Sequence, residues 1–128
     1  MLRSKGPSQR QLRVGEEIRH ILAKVLSHRD SGNELLDKAS ITITEVRVSP
    51  DLQNATVFLV PLGGQRIPEI LAAFKETSWF FRKEVAHQLT TRIAPRLAFQ
   101  ADLSFDEAQR IETLLTSPKV KRDIENKD

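Results

Sequence analysis

A two-layer α+β sandwich is the fold this sequence predicts, with elements in the order α-β-β-α-α-β and a short helix after the last strand. Three observations predict it. Apolar residues recur at helical spacing near the start and again in the second half of the chain. Two β-rich runs flank Ser49-Pro50-Asp51, and a third alternating run follows Pro95. Three strands with helices packed on one side make two layers around one core. At 128 residues, a single domain accounts for the chain.

The first helix opens at Ser8, with Gln11 three residues on, the spacing of a capping box. Val14, Ile18, Ile21, Leu22 and Val25 make its apolar stripe, and it ends near His28. Residues 29–38, with Ser31-Gly32-Asn33, read as a loop. In residues 41–48, Ile41 and Ile43 alternate in one phase and Val46 and Val48 in the other, so a bulge at Thr44 or Glu45 is needed to bring all four to one face. Ser49-Pro50-Asp51 is turn chemistry, and residues 55–62 return as the second strand of an antiparallel hairpin. Its end, residues 57–62, is so apolar that cover on much of both faces is expected.

Gly63-Gly64 breaks that strand, and Pro68 suits the first turn of a short helix with Ile70, Leu71, Ala73 and Phe74. A long helix is expected from residue 78 or 79 to residue 93, because Phe81, Val85, Leu89 and Ile93 repeat every four residues. Pro95 stops it, and Leu97, Phe99 and Ala101 alternate with polar or small residues as the third strand. Ser104 and Glu107 set a second capping box, opening a helix with Ala108, Ile111, Leu114 and Leu115 on its apolar side. Residues 1–8 are expected to be a flexible start, 9–115 the folded domain, and 116–128 a charged, disordered tail.

Composition excludes several classes of chemistry. With no cysteine there is no disulfide, thiolate metal site or cysteine nucleophile. No apolar stretch approaches the ~20 residues of a membrane span, so a cytoplasmic protein without membrane contact is expected. The chain has no GxxxxGK[ST] phosphate loop and no GxSxG elbow, and its one Glu-x-x-His, Glu84 to His87, has no second copy to complete a metal site. No cofactor and no metal are expected.

Charge is unevenly spread. Residues 1–28 carry six Lys/Arg against two acids and residues 78–96 four against one, whereas 29–77 and 97–128 each carry five against seven. Two basic segments in an otherwise acidic chain suit a polyanion footprint, since Lys and Arg release counterions from phosphates. The same pattern also suits a solvated helix face or an acidic protein partner.

The element order is that of a type II KH-like domain, and several strings resemble the bacterial ribosome-binding factor A family. They are Arg13-Val14-Gly15-Glu16-Glu17-Ile18, the run from Ile43-Thr44-Glu45-Val46-Arg47-Val48-Ser49-Pro50-Asp51-Leu52 to Ala55-Thr56-Val57, Phe81-Arg82-Lys83-Glu84-Val85, and Arg92-Ile93-Ala94-Pro95-Arg96-Leu97-Ala98-Phe99. The resemblance spans about residues 9–115. It implies a monomeric, non-enzymatic ribosome biogenesis factor that binds the free or immature small (30S) ribosomal subunit and its 16S rRNA. It also implies a role in late maturation, including 5′-end rRNA processing. The alternative is a KH-like protein-interaction module with an acidic partner.

Ordinary KH modules clamp RNA with a GxxG loop, which is missing among the five glycines here. The family has in its place a helix-kink-helix with an alanine and a glycine two residues apart. The matching stretch here is Thr77-Ser78-Trp79, where Thr77 and Ser78 are expected to accept helix-start hydrogen bonds. Arg82, Lys83, Arg92 and Arg96 are the first candidates for phosphate contact, with Arg10 and Arg13, beside Arg3 and Lys5, as a second surface. Trp79, Phe80 and Phe81 suit core packing better than base stacking; Phe81 belongs to the apolar stripe, which leaves Trp79 as the one candidate for an exposed stacking platform. The Ser49-Pro50-Asp51-Leu52 turn is expected to be structural.

Overall fold

The computed structural model of the chain describes residues 6–64, 66–91 and 93–104. Its elements are α1 (Gln9–Ser27), α2 (Glu34–Lys38), β1 (Ile41–Val48), β2 (Asn54–Pro61), a 3-10 turn (Leu62–Gly64), α3 (Ile67–Glu76), α4 (Ser78–Gln88) and β3 (Arg96–Ala101). The body of the expected helix past Ser104 (residues 105–115), the tail at 116–128 and the first five residues lie outside the described residues.

Helix α1 begins as its sequence dictates. The Gln11 amide donates to Ser8 Oγ at 3.1 Å, and the Ser8 amide donates to Gln11 Oε1 at 2.9 Å, so two otherwise orphaned N–H groups are satisfied. The same Gln11 side chain donates through Nε2 to the Val48 carbonyl at 2.8 Å, pinning the first turn of α1 to the end of β1. Val14, Ile18, Ile21, Leu22 and Val25 are all buried.

The sheet order is β1-β2-β3, with β1 and β2 antiparallel and β2 and β3 parallel. A parallel pair needs a crossover, and α3 with α4 supplies it. The register of β1 shifts between Ile43 and Glu45, the bulge the residue phases require. Ile43 and Val48 are therefore buried on one face while Ile41 and Val46 pack against the same core. The hairpin turn satisfies itself. Ser49 Oγ donates to Asp51 Oδ1 at 2.6 Å, and the amides of Gln53 and Asn54 donate to Asp51 Oδ1 and Ser49 Oγ. The serine hydroxyl holds the Asp51 carboxyl below its ordinary pKa.

One core lies between the inner face of the sheet and helices α1, α3 and α4. Ile18, Leu22, Val57, Leu59, Phe74, Phe81, Val85 and Leu89 are fully enclosed. Each such side chain contributes about 1.5–3 kcal/mol of burial free energy. Phe74 stacks on Phe99 with ring centroids 4.6 Å apart and meets Phe81 at 5.2 Å, which locks the crossover helices to β3.

Four expectations are corrected. The stretch 29–38 is not all loop, because Asn33 accepts the Leu36 amide at 3.1 Å and caps the one-turn helix α2, which buries Leu36. Strand β2 is covered on one face only: Ala55, Val57, Leu59 and Pro61 are buried, and the alternating residues are half-exposed. On that outer face the Arg47 guanidinium sits 4.9 Å from the Phe58 ring centroid and shields it. The long helix ends at Gln88, five residues early, because Leu89 turns extended (φ −72°, ψ 139°). Phe81, Val85 and Leu89 keep the apolar stripe, but Ile93 lies off it at 75 % exposure. At the α3–α4 junction, Thr77 (φ −104°, ψ 15°) interrupts the helix as expected, yet no side chain caps α4. The Thr77 hydroxyl donates backward to the Ala73 carbonyl at 2.8 Å, so it closes α3 rather than opening α4.

Candidate nucleic-acid interface

Long-range hydrogen bonds decide which of the basic residues come together. Gln11 ties the start of α1 to the Val48 end of β1. The Arg96 amide donates to the Gln53 carbonyl at 2.9 Å, so β3 starts beside the hairpin turn at that same end of the sheet. Arg10 on the first turn of α1 and Arg96 on the first residue of β3 thus share one end of the molecule, although 86 positions separate them in the chain.

The segment after α4 is fastened to this end as well. Glu17 Oε2 accepts the Thr90 amide at 2.9 Å and the Thr90 hydroxyl at 2.7 Å. Arg82 donates to the Ala94 carbonyl from Nε at 3.3 Å and from Nη2 at 3.2 Å. Leu89, Ala94 and Pro95 are buried, and Thr90, Thr91 and Ile93 are exposed between them.

Among the described residues, Arg10, Arg13, Lys83 and Arg96 are exposed and make no ion pair or side-chain hydrogen bond. Lys24, Arg66 and Lys75 are likewise exposed and unpaired, whereas three further cations are committed. Arg19 grips Glu16 with two bonds of 2.8 Å, Lys38 pairs with Glu34 at 2.9 Å, and Arg47 pairs with Glu45 at 2.8 Å. The Glu16 carboxyl is held below its usual range by Arg19. Arg82 is exposed, but its guanidinium is used within the chain, on Ala94. Arg92 lies outside the described residues.

Helix spacing sorts the α1 cations further. Arg10, Arg13 and Lys24 stand seven before, four before and seven after Glu17, so they share the flank that Glu17 presents to Thr90. Lys83 stands opposite the buried Phe81–Val85 stripe of α4. Trp79 is 66 % exposed, as expected, and Phe81 is fully buried. A groove of about 380 Å³ also runs between the α3–α4 junction and β3, lined by Leu71, Lys75, Ser78, Leu97 and Phe99. Among the described residues no strand pairs with the outer edge of β3.

Sequence reasoning missed Lys24 and Glu17 as members of this surface. The seven-residue spacing from Arg10 through Glu17 to Lys24 is visible in the sequence, but which flank of α1 meets α4 is not. No helix among the described residues is long and apolar enough to cross a membrane.

Comparison with known proteins places the chain. The family model described as Ribosome-binding factor A matches residues 10–115. The chain is 51 % identical over 123 residues to the ribosome-binding factor A of Paramagnetospirillum magneticum, covering 96 % of this chain and 87 % of that protein. It is 49 % identical over 120 residues to the Rhodospirillum rubrum protein of the same name, covering 94 % and 73 %. In fold it is similar to the crystal structure of ribosome-binding factor A from Thermus thermophilus. The TM-score there is 0.59 at 19 % identity, with 71 % of this chain and 94 % of that one covered. Matched over residues 10–115 by the family model and about half identical to the two relatives above, this chain belongs to the ribosome-binding factor A family.

Proposed function

We propose that this protein is a non-enzymatic assembly factor that binds the immature small ribosomal subunit through its 16S rRNA. In this reading it promotes late maturation, including 5′-end processing of the precursor, and works as a monomer in the cytoplasm. Family membership supports the reading, and the observation that carries it is the set of unpaired cations Arg10, Arg13 and Arg96 at one end of the sheet. Exposed Lys and Arg side chains with no acidic partner are available to phosphates and give sequence-independent affinity.

Binding alone is a sufficient mechanism. A protein that binds one RNA conformation better than another shifts the population toward it by the difference in affinity, and equal affinity shifts nothing. Preference for free or immature small subunits over large subunits is therefore the core of the activity. Co-sedimentation with separated ribosomal subunits in a salt series tests it. The expected result is association with small subunits that fades as salt rises; equal association with large subunits, or retention only by an acidic protein, would contradict it.

A further inference from the structure

Glu17 is an acid on a flank that otherwise displays Arg10, Arg13 and Lys24, and an anion there opposes phosphate binding. Its geometry gives it a different task. One carboxylate oxygen takes both the amide and the hydroxyl of Thr90, the second residue past the end of α4. Charge-assisted hydrogen bonds of 2.7–2.9 Å across 73 positions hold the end of α4 against α1, and no other side-chain bond among the described residues joins these two helical segments. Arg82 fixes the other end of the same segment through the Ala94 carbonyl.

We propose that Glu17 is a positioning residue of the RNA-binding surface: by clamping Thr90 it sets the basic flank of α1 and the chain after α4 as one rigid surface that phosphates can engage together. This rests on the rRNA-binding reading above. Preorganised cations bind without the ordering cost that independently moving segments incur. The carboxylate contributes by where it holds the chain, and its negative charge works against it.

That opposition of sign makes the test decisive. In Glu17→Ala the anion and the clamp both go; in Glu17→Gln the charge goes, but Oε1 still accepts from the Thr90 amide and hydroxyl. Affinity of the full chain for immature small-subunit particles is measured in a salt series, together with hydrogen exchange at the Thr90 amide. For Glu17→Ala the expectation is roughly three- to tenfold weaker binding, the equivalent of one lost hydrogen bond. A shallower salt slope and faster exchange at Thr90 should accompany it. Glu17→Gln should bind at least as tightly as the parent and keep slow exchange. Binding of Glu17→Ala as tight as the parent's or tighter would show that only charge matters and overturn the proposal. So would a Gln variant as weak as the Ala variant. If the unaltered protein ignores the particles, the rRNA reading fails and this role with it, whereas the exchange rates still report whether the clamp exists.

Discussion

A Cβ placed on Gly15 would lie 2.5 Å from the carbonyl oxygen of Val46. Helix α1 therefore rests on the backbone of β1 at a distance only glycine permits, and one turn earlier Gln11 bonds the Val48 carbonyl of the same strand. Gly15→Ala would gain up to ~1 kcal/mol of helix propensity but force α1 away from the sheet at ~1–3 kcal/mol. The expected net result is a thermal midpoint a few degrees lower, since ~1 kcal/mol moves a domain of this size by about 4 °C. A midpoint unchanged or raised would mean that the helix shifts without cost.

Leu89 and Ile93 stand four residues apart, and only the first is buried. Leu89→Ala should cost about 2–5 kcal/mol by opening a cavity beside Phe81 and Val85. Ile93→Ala should stay within about 0.5 kcal/mol, as exposed positions do. Denaturant unfolding of the two variants checks the early end of α4; equal losses would place Ile93 back on the stripe.

Arg82 and Lys83 are adjacent but differ in role. Arg82→Ala releases the Ala94 carbonyl and should lower stability by about 1 kcal/mol, while Lys83→Ala should leave it unchanged. Both should weaken RNA binding. Chemical denaturation separates them, and a stability loss in Lys83→Ala of the same size would refute the distinction.

Asp37 accepts from both the amide of Ser31, at 2.9 Å, and its hydroxyl, at 2.7 Å. The Ser31 amide above all, with its hydroxyl, the Gly32 amide and Arg29 also contributing, holds the carboxyl below its ordinary value of 3.8. A carboxyl whose pKa is lower when folded adds stability in full above that ordinary value and loses it as pH falls through the folded value. Asp102 behaves alike, with the Ser104 and Thr44 hydroxyls as its main partners. Urea midpoints should hold steady through pH 5 and drop below about pH 4, and Asp37→Asn should flatten that drop. An acid dependence identical in Asp37→Asn would remove Asp37 as a source.

How much was legible follows the range of the interaction. The capping box at Ser8 and Gln11, the bulge between Ile43 and Glu45, the self-contained turn at Ser49 and Asp51, and the Phe81–Val85–Leu89 stripe all depend on residues a few positions apart. The end of α4 was not legible. The fourfold repeat runs on to Ile93, while the contact that holds Thr90 outside the helix comes from Glu17, far away in the chain. Helix α2 escaped notice because five residues with one buried side chain leave no periodicity to read. The candidate site divides the same way. Arg10, Arg13, Lys83 and Arg96 could be named from charge and helix spacing, but that Arg10 and Arg96 share an end of the sheet follows from the Gln11–Val48 and Arg96–Gln53 bonds.

The most direct measurement compares the parent with a variant in which Arg10, Arg13, Lys83 and Arg96 are replaced by glutamine, reading affinity for immature small-subunit particles against salt. Each phosphate contact contributes roughly 0.7–0.9 to the slope of log affinity on log salt, so four lost contacts should make it shallower by about 3. Weaker binding with that shallower slope, on an unchanged thermal midpoint, is the predicted result. A folded variant with the parent's affinity and slope would contradict the claim that these cations hold the ribosomal RNA.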